Sequence, residues 1–500
     1  MHASEGFNLV HNLPALEIAV PLLSATLIVI IRRARWAWAL ATLVTWSAFA
    51  GAIVLLQQVL RHGTISYTQG GWAPPWGIEL RIDLLNALVL LIVTGICAVV
   101  ILTGPRTLPP EVPEKRHYLI YATMLLCMTG LAGMTVTGDA FNIFVFLEIS
   151  SLSAYALVSQ GATRRALTSS IQYLVMGTIG GTFLLLGIGM LYMVTGTLNL
   201  VDIAARLAEL GPNRTVLVAL ACITIGTSIK LAVFPLHIWL PNAYTYAPAM
   251  VTAVIAATAT KVAFYVLTRF VFTVFGAELA FGHLQLDLVL MPLALLAMFA
   301  GSLVAIFQSD IKRLLAYSSV AQIGYMVLGL SLANEAGLTG GIVHLFNHAL
   351  MKSGLFLVMA AVLLRTGATT LEAVRGLGRR MPWTMAAFTV GGLSLIGVPL
   401  TVGFVSKWYL VKGALEAGLW PVAVLILLSS LLAIVYIWRV IEAAYFQSAP
   451  ADAPEVREAP LSVLIPLWVL IGGALVFGVF TQLSVGTAGG AARLLLGVGG

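Results

Sequence analysis

Charge is what this sequence has least of. Only 9% of its 500 residues are Asp, Glu, Lys or Arg, against 60% hydrophobic, and the mean hydropathy is +0.99. Soluble domains carry about 25% charged residues, so most of the solvent around this chain is lipid. Cysteine is scarce too. Cys97, Cys127 and Cys222 stand alone in apolar runs, with no CxxC pair and no zinc or iron–sulfur spacing. They read as small core residues, and no metal or other cofactor is expected on the chain. There is no Walker A loop and no GxGxxG between a strand and a helix, which argues against nucleotide hydrolysis and nicotinamide binding. The N-terminus lacks a basic n-region and a cleavage site, so no removable signal peptide is expected. The net charge of +7 does not indicate nucleic acid, because the basic residues flank apolar runs, where membrane topology accounts for them.

What the sequence has in abundance is long hydrophobic runs. A helix of about 20 apolar residues crosses a bilayer, so a chain of this length with short loops holds roughly 14 crossings. Hydropathy places them at about 12–31, 36–60, 82–103, 117–137, 140–159, 168–195, 215–234, 248–275, 286–307, 314–333, 338–364, 384–410, 419–446 and 461–482. The fold class is an all-α polytopic membrane protein. Alternate loops collect Arg32, Arg33, Arg35, Arg106, Lys115, Arg116, Arg164, Arg165, Lys312, Arg313, Arg365, Arg375, Arg379, Arg380 and Arg457. The other loops hold far fewer basic residues, which makes the first side cytoplasmic and puts both termini outside. Residues 61–81, alternating around GG and PP, read as a small outside hairpin or an interfacial cap. Residues 198–210 read as a short helix in the interface, and the polar, Pro-rich 447–460 as a loop.

The few charges inside the runs are the informative ones. The stretch Gly226–Lys261 sets Lys230 in an apolar run, interrupts the backbone at Pro235 and Pro241, and resumes with a helix carrying Lys261. An amine near mid-bilayer is unfavourable by about 2.5–3.5 kcal/mol on insertion scales. A helix broken at that depth survives only against protein or trapped water. Together they are the usual construction of an ion or proton site in a transporter. Desolvation makes such an amine's charge costly and lets it exchange its proton; structural pairing is the competing reading.

Glu148, mid-run in AFNIFVFLEISSLSAY, is either a structural acid bonded to a neighbouring serine or the partner of Lys230, holding a proton there when near and releasing it when apart. Asp139 reads as a helix cap. His237, in FPLHIWLP, either relays protons between the lysines or is a hydrogen-bonded histidine of the break. His344, His348 and Lys352 fall at i, i+4 and i+8, on one helical face. Two histidines at that spacing can bind zinc, but no third ligand is evident; a structural polar seam and a hydrated proton wire remain. Lys407 repeats the buried-amine argument. Lys312, Arg313 and Arg269 lie near helix ends and read as interfacial anchors, and Glu442 as the partner of Arg439.

The interruption at Pro235 has a counterpart in GVPLTVGFVSKWYL, residues 397–410, where Gly397, Pro399 and Gly403 precede Lys407. Each lies four helices into a block of five, 117–275 and 286–446. Paired interruptions in two odd-numbered blocks point to inverted repeats around a midplane site. The chain then divides into a three-helix segment with the hairpin at 1–116, the two five-helix repeats, and a last helix at 461–482.

GDAFNIFVFLEISSLSAY, SIKLAVFPLHIWLPNAY, ATATKVAFYVLTR, SDIKRLLAYSSVAQIGYMVLG, HLFNHALMKSGLFL and GVPLTVGFVSKWYL follow one another over roughly residues 80–450. In these motifs the chain resembles the antiporter-like subunits shared by Mrp-type multisubunit cation/proton antiporters and respiratory complex I (NADH:quinone oxidoreductase). The lysine at 407 and the stretch GGWAPPWGIELRIDLLNALVLLIV are most similar to the Mrp D-type branch. The resemblance implies fourteen helices, two inverted five-helix units and broken seventh and twelfth helices. It implies Glu148 with Lys230 as a coupling ion pair, Lys261 as central relay, His344 and His348 beside it, and Lys407 as terminal proton carrier. It further implies a proton-translocating subunit of a Na+ or K+/H+ antiporter in a bacterial inner membrane, partnered by other membrane subunits. The alternative is a pump subunit of complex I or a related membrane hydrogenase, with redox cofactors on its partners.

Overall fold

The computed structural model describes residues 9–450 and 455–498; residues 451–454 of the expected polar loop lie outside the described residues. Thirteen helices among the described residues are long and apolar enough to cross a membrane. The first six crossings are Leu13–Ile31, Ala34–His62, Leu84–Ile101, His117–Val136, Ala140–Val158 and Arg164–Thr195. The seventh is broken into Arg214–Leu231 and Trp239–Tyr246. The eighth, Ala249–Thr268, continues in wider π-turns to Val274. Asp287–Ile306, Ile311–Ser331 and Glu335–Thr366 are the ninth to eleventh. The twelfth is broken again, into Pro382–Ile396 and Val402–Glu416. Neither half reaches the length a bilayer needs, and together they make the fourteenth passage in the count. Trp420–Tyr445 and Leu461–Val479 complete the bundle.

The breaks have local causes. Pro235 lacks the N–H that would continue the ladder, and Ala232 before it turns left-handed at φ +62. Pro241, expected to break the chain as well, sits in the first turn of the second half-helix. N–H groups there have no intrahelical partner, so proline is tolerated. In the twelfth crossing Gly397 takes φ +94, a conformation that favours glycine, and Pro399 follows.

The expected hairpin forms from β1 (Ile65–Thr68) and β2 (Glu79–Ile82), antiparallel with Ile65 opposite Ile82. The interfacial helix is Leu200–Leu210. It is capped by Asn199 and buries Leu200, Ile203 and Leu207, while Asp202 and Arg206 pair at 3.0 Å. A helix at Thr487–Leu495, absent from the sequence reading, buries Ala488, Ala491 and Ala492 against the third and eleventh crossings.

The two five-helix blocks share a hydrogen-bond register. Asp139 caps the fifth crossing and bridges to Asn199 beyond the end of the sixth; Asp310 caps the tenth and bridges to Thr370 beyond the end of the eleventh. The flanking bonds repeat as well: Ala140 N–H to Leu198 and Leu200 N–H to Gly138 in one, Ile311 N–H to Thr369 and Leu371 N–H to Ser309 in the other. The fourth crossing packs on the eighth, and the ninth on the thirteenth. One bridge lies on the side poor in basic loops and the other on the basic side, so the second block is the first turned over.

Two expected anchors are not at the interface. Lys312 is only 4% exposed. Arg269 is buried in a forked ion pair with Asp83 at 2.8 and 2.9 Å. Burial opposes the charge on Asp83, but the guanidinium beside it holds the carboxyl below its ordinary value. Arg439 donates to the Gln308 carbonyl at 3.4 Å, and no ion pair joins it to Glu442 among the described residues.

Candidate functional site

With Asp139 fixing where the fifth crossing begins, Glu148, Ser151 and Tyr155 share one face at i, i+3 and i+7. That face meets the last turn of the first half of the seventh crossing, which carries Lys230. Lys230 Nζ lies 3.9 Å from Glu148 Oε1 and donates to Ser151 Oγ at 2.8 Å and Tyr155 Oη at 3.2 Å. The lysine is buried, whereas the Glu148 side chain is 30% exposed. The sixth crossing makes room for this pair with glycines. A Cβ on Gly181 would stand 2.4 Å from Glu148 Oε1, and one on Gly177 1.8 Å from Tyr155 Oη and 3.3 Å from Lys230 Nζ.

Lys261 is fully buried in the eighth crossing. Its Nζ donates to the Ala256 carbonyl at 2.5 Å and Thr260 Oγ1 at 3.3 Å. A row of rings leads to it from Lys230. Tyr155 meets Tyr173 edge-on at 4.6 Å, Tyr173 stacks on Trp239 at 4.0 Å, and Trp239 meets Tyr244 at 6.4 Å. The Tyr244 hydroxyl in turn reaches the Thr260 side chain.

Beyond Lys261 stands the eleventh crossing, whose His344, His348 and Lys352 are all fully buried. The two imidazoles stack with centroids 6.0 Å apart, and Lys261, Lys352 and His344 are the electrostatic neighbours of His348. Lys352 Nζ donates to the Leu315 carbonyl at 2.8 Å and to Ser318 Oγ. His344 Nδ1 meets Ser406 Oγ at 2.9 Å, one residue before Lys407. Lys407 Nζ donates to the carbonyls of Leu395 and Ile396 at 3.2 and 2.7 Å and lies 4.7 Å over the Tyr325 ring. Those carbonyls end the first half of the broken helix, where the helix dipole favours a cation.

Several buried polar atoms along this path have no hydrogen-bond partner among the described residues: both nitrogens of His348, His344 Nε2, Asn347 Oδ1, Gln322 Oε1, Ser353 Oγ and Ser394 Oγ. Buried polar groups are rarely left unbonded, and such positions are where ordered water bonds in protein interiors.

The seven residues singled out from sequence therefore do not form one cluster. Glu148 and Lys230 come together, as do Lys261, His344, His348 and Lys407. His237 joins neither group. It is partly exposed at the break, stacked on Phe234 at 5.2 Å and edge-on to Tyr317 at 6.5 Å. Ser151, Tyr155, Ser318 and Tyr325 contact the amines, and Ser406 the His344 imidazole, yet they carry no sequence signal, since such residues are common in helices. Glu17 is a further residue that sequence reasoning misses: a buried acid in the first crossing, packed against Gly51, with no hydrogen-bond partner for Oε2 among the described residues. Its place inside an apolar run is the available signal. Among the described residues no group of three or more His, Cys, Asp or Glu side chains is arranged to hold a metal ion.

Comparison with known proteins places this arrangement. The profile described as NADH:quinone oxidoreductase/Mrp antiporter, transmembrane, matches residues 137–433. The NADH-quinone oxidoreductase subunit N of Desulforudis audaxviator is 44% identical over 87% of this chain and 88% of its own. The D-type subunit of the Na(+)/H(+) antiporter of Bacillus subtilis is 30% identical over 94% of each. The structure of the Mrp complex from a Dietzia species superposes with a TM-score of 0.89 at 27% identity, over 98% of each chain. The chain belongs to the NADH:quinone oxidoreductase/Mrp antiporter family of polytopic membrane proteins.

Proposed function

We propose that this chain is the proton-carrying membrane subunit of a multisubunit Na+ or K+/H+ antiporter. The observation that carries the reading is a line of buried amines and imidazoles, Lys261, His348, His344 and Lys407, with one ion pair, Glu148–Lys230, at its far end. The pair sets the state of the line. While Glu148 stays close, the charge on Lys230 is compensated; once they part, an uncompensated ammonium in low dielectric repels the next proton toward Lys261. The two repeats at 117–275 and 286–446 are then the two units of the path, with 1–116 and 461–482 as packing elements. The basic loops face the cytoplasm of a bacterial cell, and both termini lie outside. His237 sits apart from the line and serves at most as an access residue at the break.

Replacing Lys230 or Glu148 by alanine is expected to abolish cation-driven proton movement in everted vesicles while the complex still assembles. Normal transport by either variant would overturn the proposal. A second reading is favoured by one observation, the 44% identity to an NADH-quinone oxidoreductase subunit: the same proton path set in a redox-driven pump. Purification separates the two. Small membrane subunits alone support the antiporter, and copurifying flavin and iron–sulfur subunits support the pump.

A further inference from the structure

A further buried ionisable cluster lies outside this line. On the basic side a cavity of about 1050 Å³ opens beside the loop between the third and fourth crossings, the start of the second and the turn after the fifth. Glu111 lines it. Both its carboxylate oxygens accept the N–H of Ala249, at 2.9 and 3.2 Å, where the eighth crossing begins and the helix dipole favours an anion. Behind it the buried Lys312 donates from Nζ to the Ala247 carbonyl at 2.6 Å. The two side chains clamp Ala247–Pro248–Ala249, the turn between the broken seventh crossing and the helix of Lys261.

Glu111 and Lys312 are electrostatic neighbours, and Asp310 faces Lys312 from the cap of the tenth crossing. Arg35, Glu114, Arg116, His117 and Tyr121 complete the charged and titratable lining of the cavity. Leu315, whose carbonyl holds Lys352, is about 4.5 Å of helix rise beyond Lys312 on the same face. A carboxylate at the cavity wall, a buried amine and Lys352, the neighbour of His348 and Lys261, thus follow one another.

We infer that Glu111 exchanges protons between the basic-side cavity and the line of amines, with Lys312 the first amine behind it. This role presupposes the proton-carrying function proposed above. In the transfer, the O–H bond of the Glu111 carboxylic acid breaks and an N–H bond forms on neutral Lys312. A cavity water accepts one proton and gives up another, and a carboxylate and an ammonium remain side by side. Burial pushes the Glu111 carboxyl up, against the opposing pull of Lys312 and the Ala249 N–H, so it keeps its proton closer to neutrality than a free carboxyl does.

The plainer role is a helix cap, and Glu111→Gln separates the two, because glutamine still accepts the Ala249 N–H but cannot carry a proton. In the assembled complex in everted vesicles, Glu111→Gln is expected to slow cation-driven proton exchange by about tenfold or more and to flatten its pH profile, with Glu111→Asp recovering most of the rate. Lys230→Ala is measured alongside. If Glu111→Gln keeps the wild-type rate and profile while Lys230→Ala is inactive, the Glu111 role is overturned and the proposed function stands. If Lys230→Ala transports normally, the function itself is overturned. A second measurement needs no variant. A carbodiimide, which reacts with protonated carboxyls, is expected to label Glu111 in the wild-type complex less and less as the pH rises through neutrality. Absent or pH-independent labelling overturns the proposal.

Discussion

The two broken helices hold their lysines on opposite sides of the break, and in opposite company. Lys230 ends the half-helix before its break and faces a carboxylate, a serine and a tyrosine. Lys407 lies in the half-helix after its break and faces two backbone carbonyls and the Tyr325 ring. The shared register shows how the halves diverged. Counted from the caps Asp139 and Asp310, the position of Glu148 in the first block is Ser319 in the second. Counted back from the helix ends at Gly196 and Gly367, His348 and Lys352 of the second block are Gly177 and Gly181 of the first. Glu148 and the buried amines thus sit on the fifth, seventh and eighth crossings in one block, and buried amines and imidazoles on the tenth, eleventh and twelfth in the other. The first block can neutralise Lys230 internally, though not Lys261. On its eleventh and twelfth crossings the second holds buried amines and imidazoles with no ion-paired carboxylate among the described residues, so not all of them can be charged at once. In the proposed function, a pair that opens and closes next to a line that cannot be fully charged would supply a physical basis for directional proton movement.

Breaking the pair gives the largest effect. Lys230→Ala and Glu148→Ala are expected to lower transport by about 100-fold or more, to background, in vesicles where immunoblots show unchanged assembly. Interrupting the second block at His348 should come next. His348→Ala removes the group between Lys261 and Lys352 and should cost about 10- to 100-fold, read by the same transport assay.

The contrast sharpens at the glycines. Gly177→Ala drives a Cβ into the Tyr155 hydroxyl beside Lys230, whereas Gly189→Ala on the same helix meets nothing within 4 Å. The first should slow transport several-fold and the second should not change it. Equal rates for both would show that the space beside Lys230 is not required.

The smallest effect on transport is expected from the structural ion pair. Asp83→Asn breaks the fork to the buried Arg269 and should destabilise by about 3–5 kcal/mol, seen as a lower melting temperature in detergent with the surviving protein still active. The sign with pH follows from the depressed carboxyl. The pair stabilises above the ordinary Asp value, about 3.9, and its contribution is lost as the pH falls through the lower folded value. The difference in melting temperature between wild type and Asp83→Asn should therefore shrink in acid.

Much of this was legible in the sequence because lipid leaves so little freedom. An amine in an apolar run has to be accounted for, so Lys230, Lys261 and Lys407 stood out, and the i, i+4, i+8 spacing put His344, His348 and Lys352 on one face. What sequence could not supply was depth and direction. Lys312 and Arg269 lie near helix ends in sequence, but the first reaches the Ala247 carbonyl and the second Asp83, and both are buried. His237 sits between two prolines, yet its ring meets Phe234 and Tyr317 rather than the amines. Pro241 read as a second interruption, although a first-turn proline costs a helix nothing. The repeat was visible as two prolines, but its register shows only in the bridges at Asp139 and Asp310.

The most direct measurement is a density map of the assembled complex fine enough to show ordered water in the protein interior. The account predicts waters bonded to both nitrogens of His348 and to His344 Nε2, joining Lys261 to Lys407 without interruption. Apolar side chains closing those gaps, with dry packing between the amines, would contradict it.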